Sequence, residues 1–214
     1  MKEGQRKMSN MLREFDRICR KYNIRYWCVG GTLIGVLRHK GWIPWDGDID
    51  VAMLEKDYAN FKKIVQKELP KEMWFQSSDN DENYKYNIPK IRNLNSCYIE
   101  YTNNGGTQWH NGLQLDIFLY DKQGNELICN KGDPEMRIKL SYDTIFPLKE
   151  KKFEDIIVYI PNKYIEYNKK AWGEYPPKLP IISKRLPHEG KMDAFKTCPF
   201  HYKKYPKLYK KKLL

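Results

Sequence analysis

Residues 27–54 read WCVGGTLIGVLRHKGWIPWDGDIDVAML, and the alternation that ends this stretch decides the fold. Asp48, Asp50 and Ala52 would share one face of a strand and Ile49, Val51 and Met53 the other, because successive side chains of an extended chain point to opposite faces. Two like charges on one sheet face repel, and such a face normally hides apolar groups. The pair is costly unless a cation lies between the carboxylates. Oxygen-only ligands select a hard ion, Mg²⁺ or Mn²⁺. Upstream, Tyr26 to Val29 reads as a short strand, Gly30-Gly31 as a tight turn, and Thr32 to Leu37 as a helix whose first turn offers unsatisfied amides and a hydroxyl. A helix start of that kind seats phosphate.

Taken singly, a Gly-Gly pair is usually a turn and Asp-x-Asp a solvated strand end. In this order and with strand patterning around the carboxylates, the two resemble the nucleotidyltransferase superfamily. The run GGTLIGVLRHKGWIPWDGDIDVAM is closer still to the signature of the LicD/fukutin family: Gly-Gly-Thr/Ser-Leu-Leu-Gly, then Arg-His-x-Gly, Ile-Pro-Trp-Asp and a final Asp-hydrophobic-Asp. Gly47 departs from it, where relatives often carry an acidic or larger residue. With gaps, the resemblance runs over roughly residues 8 to 180. It takes in Lys90-Ile91-Arg92 ahead of Ser96 and Ile99-Glu100, then Asp116-Ile117-Phe118, where Leu119-Tyr120-Asp121 replaces the family's Pro-Leu-Asp. It ends on a Phe-Pro-Leu hairpin with a helix from about Pro161, and on AWGEYPPKLP, where Trp172 replaces a tyrosine.

Elsewhere the patterning is local. Met8, Met11, Leu12, Phe15, Ile18, Cys19 and Tyr22 recur at helical spacing, and Leu54, Tyr58, Phe61, Val65 and Leu69 mark a second helix that Pro70 stops. Met73 to Gln76 suits a strand. A strand through Ile88 to Asn93 would put Lys90 and Arg92 on one face, and its plain reading is a solvated edge blocked by lysine. Leu113, Leu115, Ile117 and Leu119 make one face of a further strand, with Gln114, Asp116 and Phe118 on the other, so Asp116 is a lone carboxylate in an apolar run. Burying it is expensive unless it is paired or holds a metal. Residues 103 to 112 read as a Gly-Gly loop, and residues 121 to 139 carry a weak signal.

At 214 residues the chain suits one domain, residues 1–200, with a basic tail at residues 201–214 that carries six lysines among three tyrosines. An aromatic share of 14% argues for a folded core, since disordered chains are poor in aromatics. The net charge of +12 calls for anionic partners: a nucleotide donor, a phosphorylated glycan, nucleic acid or, through the tail, an anionic membrane surface. No apolar run spans a bilayer and the first residues lack a signal-peptide core, so the expectation is a cytoplasmic protein. Five scattered cysteines without a CxxC pair argue against a disulfide framework and a zinc site.

The resemblance implies an α/β fold of the α+β type, with a nucleotidyltransferase-like mixed sheet, helices behind it and a C-terminal hairpin and helix as a cap. The carboxylates would lie along one open edge. It implies metal-dependent transfer of a phospho-alcohol group, phosphocholine- or phosphoribitol-like, from a CDP-linked donor to a glycan hydroxyl. Asp48, Asp50 and Asp116 would be the catalytic and Mg²⁺ or Mn²⁺-binding residues. Gly30, Gly31, Thr32, Arg38, His39, Lys90 and Arg92 would contact substrate, with His39 a hydrogen-bond donor whose proton affinity the flanking cations lower. Two other readings stay open on the residues alone: transfer of a nucleotide from a triphosphate to a protein, small molecule or RNA end, and a catalytically idle anion-binding protein. The three aspartates weigh against the last. Nucleic acid is the weaker partner because no RNA-binding module is added.

Overall fold

The computed structural model describes residues 2–82, 84, 87–100, 112–131, 137–180, 182 and 190–207. The loop expected at 103–112 lies outside them except for Gly112, as do the middle of the weak stretch and residues 208–214 of the tail.

The helices form where the apolar spacing asks for them. In α1 (Lys2–Lys21) the stripe Met8, Met11, Leu12, Phe15, Ile18 and Cys19 is buried. In α3 (Glu55–Glu68) Phe61 and Val65 are buried, and the Leu69 amide closes the last turn on the Val65 carbonyl before Pro70, which has no amide to continue it. Phe15 meets the rings of Tyr26 and Phe61 at 4.9 and 5.4 Å, which ties the two helices to the first strand. Each such side chain contributes about 1.5–3 kcal/mol on burial.

Five strands give the main sheet its path: β1 (Tyr26–Cys28), β2 (Ile49–Leu54), β6 (Gln114–Gln123), β4 (Lys90–Asn93) and β3 (Met73–Gln76), side by side in that order. The β2–β6 pair is parallel and the others on the path are antiparallel, so the sheet is mixed. β6 is long enough to pair a second time on one side. Past its contact with β4 it takes β7 (Glu126–Lys131), which pairs in turn with β8 (Lys139–Ser141). β7 falls in the stretch whose sequence signal is weak and β8 begins at its end; both are short, and pairing rather than pattern makes them.

The remaining elements close the domain. α2 (Gly30–His39) follows β1, and the one-turn helix α4 (Tyr142–Ile145) precedes a hairpin of β9 (Lys149–Phe153) and β10 (Ile156–Ile160) and the helix α5 (Tyr164–Trp172). This is the expected hairpin and helix. A second small sheet was not foreseen: β11 (Gly190–Asp193) pairs with β5 (Cys97–Glu100) and leads to α6 (Pro199–Lys204). The start of the basic tail is thereby packed on the domain. The Tyr205 ring lies 5.8 Å from that of Trp74, and its hydroxyl donates to Asp81.

Two expectations are corrected by the topology. β2 and β6 are interior strands, so the carboxylates lie at the beginnings of two central strands and not along an outer edge. β4 is no solvated edge strand either. It runs between β3 and β6, and Lys90 and Arg92 are both buried.

Candidate active site

The parallel register sets Asp50 directly opposite Asp116, and Asp48 stands one residue before β2. One oxygen from each of Asp48, Asp50 and Asp116 can be chosen so that all lie within 4.8 Å of one another. Asp48 and Asp116 are buried and Asp50 is half-buried. Burial pushes the Asp50 proton affinity well above the ordinary carboxylate range, and the charges of Asp48, Asp116 and Asp46 add to it. Burial likewise raises Asp116, to about 6, although Lys90 beside it pulls the other way. Lys90 is directly opposite Asp116 on β4, and its ammonium donates to Asp116 Oδ2. Asp116 Oδ1 is buried and accepts no hydrogen bond among the described residues. An oxygen-only cluster with such an orphaned acceptor fits a hard divalent cation, which would satisfy that atom and offset the repulsion.

The chain before β2 is held in place by α1. Gln5 Nε2 donates to the carbonyls of Ile43 and Asp46 at 3.2 and 3.0 Å, and Trp42 Nε1 donates to Ser9 Oγ at 2.9 Å. The polar residues of a helix that reads as scaffold thus anchor the loop that carries Asp48.

At the start of α2, Gly30 takes φ of 53°, a left-handed turn that glycine adopts at no steric cost. The glycine pair therefore turns the chain and also begins the helix. Val29 at the N-cap supplies no side-chain hydrogen bond to the first turn. Thr32 Oγ1 accepts the Asp50 amide at 2.8 Å, which ties the helix start to the carboxylate strand. A Cβ on Gly31 would stand 2.6 Å from Asp46 Oδ2, so this helix start closely abuts a carboxylate of the chain itself. Asp46 is the site residue that sequence reasoning missed. Its signal was present: it precedes Asp48 by two, as Asp48 precedes Asp50.

Gly30, Gly31, Thr32 and Lys90 are therefore brought to the three aspartates. Arg38 and His39 are not. They end α2, and at 1.5 Å rise per residue Arg38 is about 12 Å along the axis from Gly30. The Arg38 guanidinium donates to the Pro177 carbonyl, which joins that end of α2 to the segment after α5. Burial, with the neighbouring Arg38 charge, holds His39 below its ordinary pKa. Arg92 is fully buried beside the cluster on the same face of the sheet, bonded to Gln76 and Gln114.

A family model described as LicD/FKTN/FKRP, nucleotidyltransferase domain, matches residues 23–163. The lipopolysaccharide cholinephosphotransferase LicD of Haemophilus influenzae is 32% identical over 153 residues, which cover 67% of this chain and 54% of that protein. An uncharacterized protein of Rickettsia prowazekii is 29% identical over 188 residues, 81% of this chain and 60% of that one. The human ribitol 5-phosphate transferase FKRP is 42% identical over 41 residues, 19% of this chain and 8% of that protein. The chain thus spans little more than half the length of the first two of these relatives. Among the described residues, no helix is long and apolar enough to cross a membrane.

Proposed function

Because the chain belongs to the LicD/FKTN/FKRP nucleotidyltransferase-domain family, we propose that it moves a phospho-alcohol group from a CDP-linked donor to a glycan hydroxyl, with Mg²⁺ or Mn²⁺ as cofactor. The observation that carries this reading is the convergence of Asp48, Asp50 and Asp116, with a buried Asp116 oxygen that accepts no bond among the described residues. Two relatives named for moving phosphocholine and ribitol phosphate support the transferred group.

In this reading the acceptor oxygen attacks the phosphorus that bears the alcohol, the bond from that phosphorus to the bridging oxygen breaks, and CMP leaves. A bound divalent cation would draw charge from the phosphoryl oxygens and favour the in-line displacement. Asp48, Asp50 and Asp116 would hold it. Asp116 would also take the acceptor's proton as the new bond forms. The Lys90 ammonium, beside Asp116, would turn to the transferring phosphoryl group and offset its growing charge. The first turn of α2 would meet the donor diphosphate if Asp46 moves aside from Gly31. Arg38 and His39 would reach only a part of the substrate remote from the reacting phosphorus.

The test is thermal melting with Mg²⁺ and candidate donors. A CDP-alcohol at one hundred times its Kd should stabilise the protein by about 2.7 kcal/mol, which for a chain of this size is about 5–10 °C, and EDTA should abolish the shift. Stabilisation by nucleoside triphosphates, with none from CDP-choline, CDP-ribitol or CDP, would replace this reading by nucleotide transfer.

A further inference from the structure

The strand registers align two rows of side chains on one face of the sheet. Asp50, Asp116, Lys90 and Gln76 stand opposite one another across β2, β6, β4 and β3. Gln114, Arg92 and Trp74 form the second row, and Asp48 continues it beside Gln114. This second row contains a buried cation with an unusual set of partners. Arg92 is 0% exposed, and its hydrogen bonds among the described residues go to neutral oxygens: Nε to Gln76 Oε1 at 2.9 Å, and Nη1 to Gln114 Oε1 at 2.6 Å and the Gly112 carbonyl at 3.3 Å. Its Nη2 finds no partner among the described residues.

A guanidinium can only donate. Both glutamines must therefore turn their amide oxygens toward Arg92 and their NH₂ groups away from it. Gln76 Nε2 then donates to Asp81 Oδ2 at 2.7 Å, and Gln114 Nε2 to Asp48 Oδ2 at 3.5 Å. The outcome is a buried chain of carboxylate, amide, guanidinium, amide and carboxylate. It runs from Asp81, which also takes the Tyr205 hydroxyl, to the candidate metal cluster. Arg92 and the carboxylates favour the same orientation of each amide; without Arg92 only the Asp48 carboxylate would oppose a flip that aims the Gln114 oxygen at it. A direct arginine–carboxylate fork would engage both oxygens of Asp48, whereas an amide engages one.

We propose that Arg92 is a positioning residue: it fixes the orientation of the Gln114 amide, and Gln114 holds the Asp48 carboxylate in the direction from which it ligates the cation. The proposal rests on the metal-dependent reading of the Asp48, Asp50 and Asp116 cluster. Groups in this outer layer orient the ligands themselves, and their loss typically weakens metal binding about 10- to 100-fold.

The experiment measures Mn²⁺ affinity of the full chain, without nucleotide, by calorimetry or by the electron paramagnetic resonance of free Mn²⁺. Gln114→Met and Arg92→Lys should each bind Mn²⁺ at least about tenfold more weakly than wild type. Lysine keeps the charge but cannot hold both amides. The double variant should be no weaker than Gln114→Met alone, because Arg92 acts through that amide. Val65→Ala, a cavity in α3, should melt lower with unchanged affinity, which separates positioning from general loss of stability. If Arg92→Lys does not fold, Gln76→Met, which removes the outer acceptor of Arg92, takes its place and should weaken binding too. Wild-type affinity in either single variant overturns the proposal, and so does multiplication of the two effects in the double variant. If Asp48→Asn binds Mn²⁺ as well as wild type does, the metal reading itself fails and the positioning role falls with it.

Discussion

Replacing Asp50 by asparagine should make the metal-free protein more stable, and the structure sets the sign of the effect. Asparagine keeps the shape of the side chain and removes its charge. Burial and the carboxylates of Asp48, Asp116 and Asp46 all oppose that charge. For Asp116 the corresponding opposition, already reduced by Lys90, moves the pKa from 3.8 to about 6. At 1.36 kcal/mol per pKa unit, that is about 3 kcal/mol against the ionised form near neutral pH. Asp50 has no such bond to Lys90 among the described residues, and its proton affinity is raised by the same causes, so its substitution should raise Tm in EDTA, each 1 kcal/mol of relief being worth about 2–4 °C in a chain of this length. Asp116→Asn should behave differently. It relieves a similar strain but leaves the Lys90 ammonium buried without its bonded carboxylate, at about 3–5 kcal/mol, so the variant should melt level with wild type or a few degrees lower. The assay is melting followed by circular dichroism at pH 7.5, in EDTA and again with Mg²⁺ plus CDP-choline. Both variants should lose the stabilisation by metal and donor. A fall of several degrees for Asp50→Asn in EDTA would show that Asp50 is a structural partner of the fold and would refute the reasoning.

Acidity should act on the same cluster. Asp50 and Asp116 both have raised pKa values in the folded state, so they bind protons more readily folded than unfolded, and protonation favours the native chain. In EDTA the Tm should therefore rise as pH falls from 7.5 through about 6, while Mn²⁺ affinity declines over the same interval. Glu68, held at about 2 by Tyr22, Lys21 and Arg17, keeps its favourable contacts throughout that range. A Tm that falls steadily from pH 7.5 to 5.5 would contradict the raised values. At the helix start, Gly31→Ala would set a methyl 2.6 Å from Asp46 Oδ2 and push that carboxylate toward its neighbours. Helix propensity returns up to about 1 kcal/mol of the about 1–3 kcal/mol of crowding, so Tm in EDTA should shift by only a few degrees. The Mg²⁺-dependent stabilisation by CDP-choline should be largely lost, and its survival at wild-type size would remove the α2 start from the donor site.

The sequence by itself determined what local periodicity can encode. The two-residue alternation of residues 48–53 and 113–119 placed Asp50 and Asp116 on strands with apolar backs, with Asp48 just ahead of the first, and the helical spacing of Met8 to Cys19 defined the buried stripe of α1. The glycine pair ahead of a short helix was equally plain, since only glycine takes the left-handed turn at residue 30 without cost. Tertiary structure decided what depends on which strand lies beside which. Alternation in one strand tells which residues share a face but says nothing of the register against a distant strand. Lys90 and Arg92 therefore read as a solvated edge, and the fold made them interior. Register then set Lys90 against Asp116 and Arg92 against Gln114. That pairing splits the three aspartates, whose charges look equivalent in the sequence, into one with a bonded cation, one reached through an amide and one without either among the described residues. Asp46 entered the site by a close approach of the loop to the helix start, which its two-residue spacing from Asp48 hints at but does not fix. β7 and β8 stayed hidden because neither carries a clear alternation of its own; β7 turns back on β6 across Gly124-Asn125 and β8 pairs with β7, so pairing gives both their form.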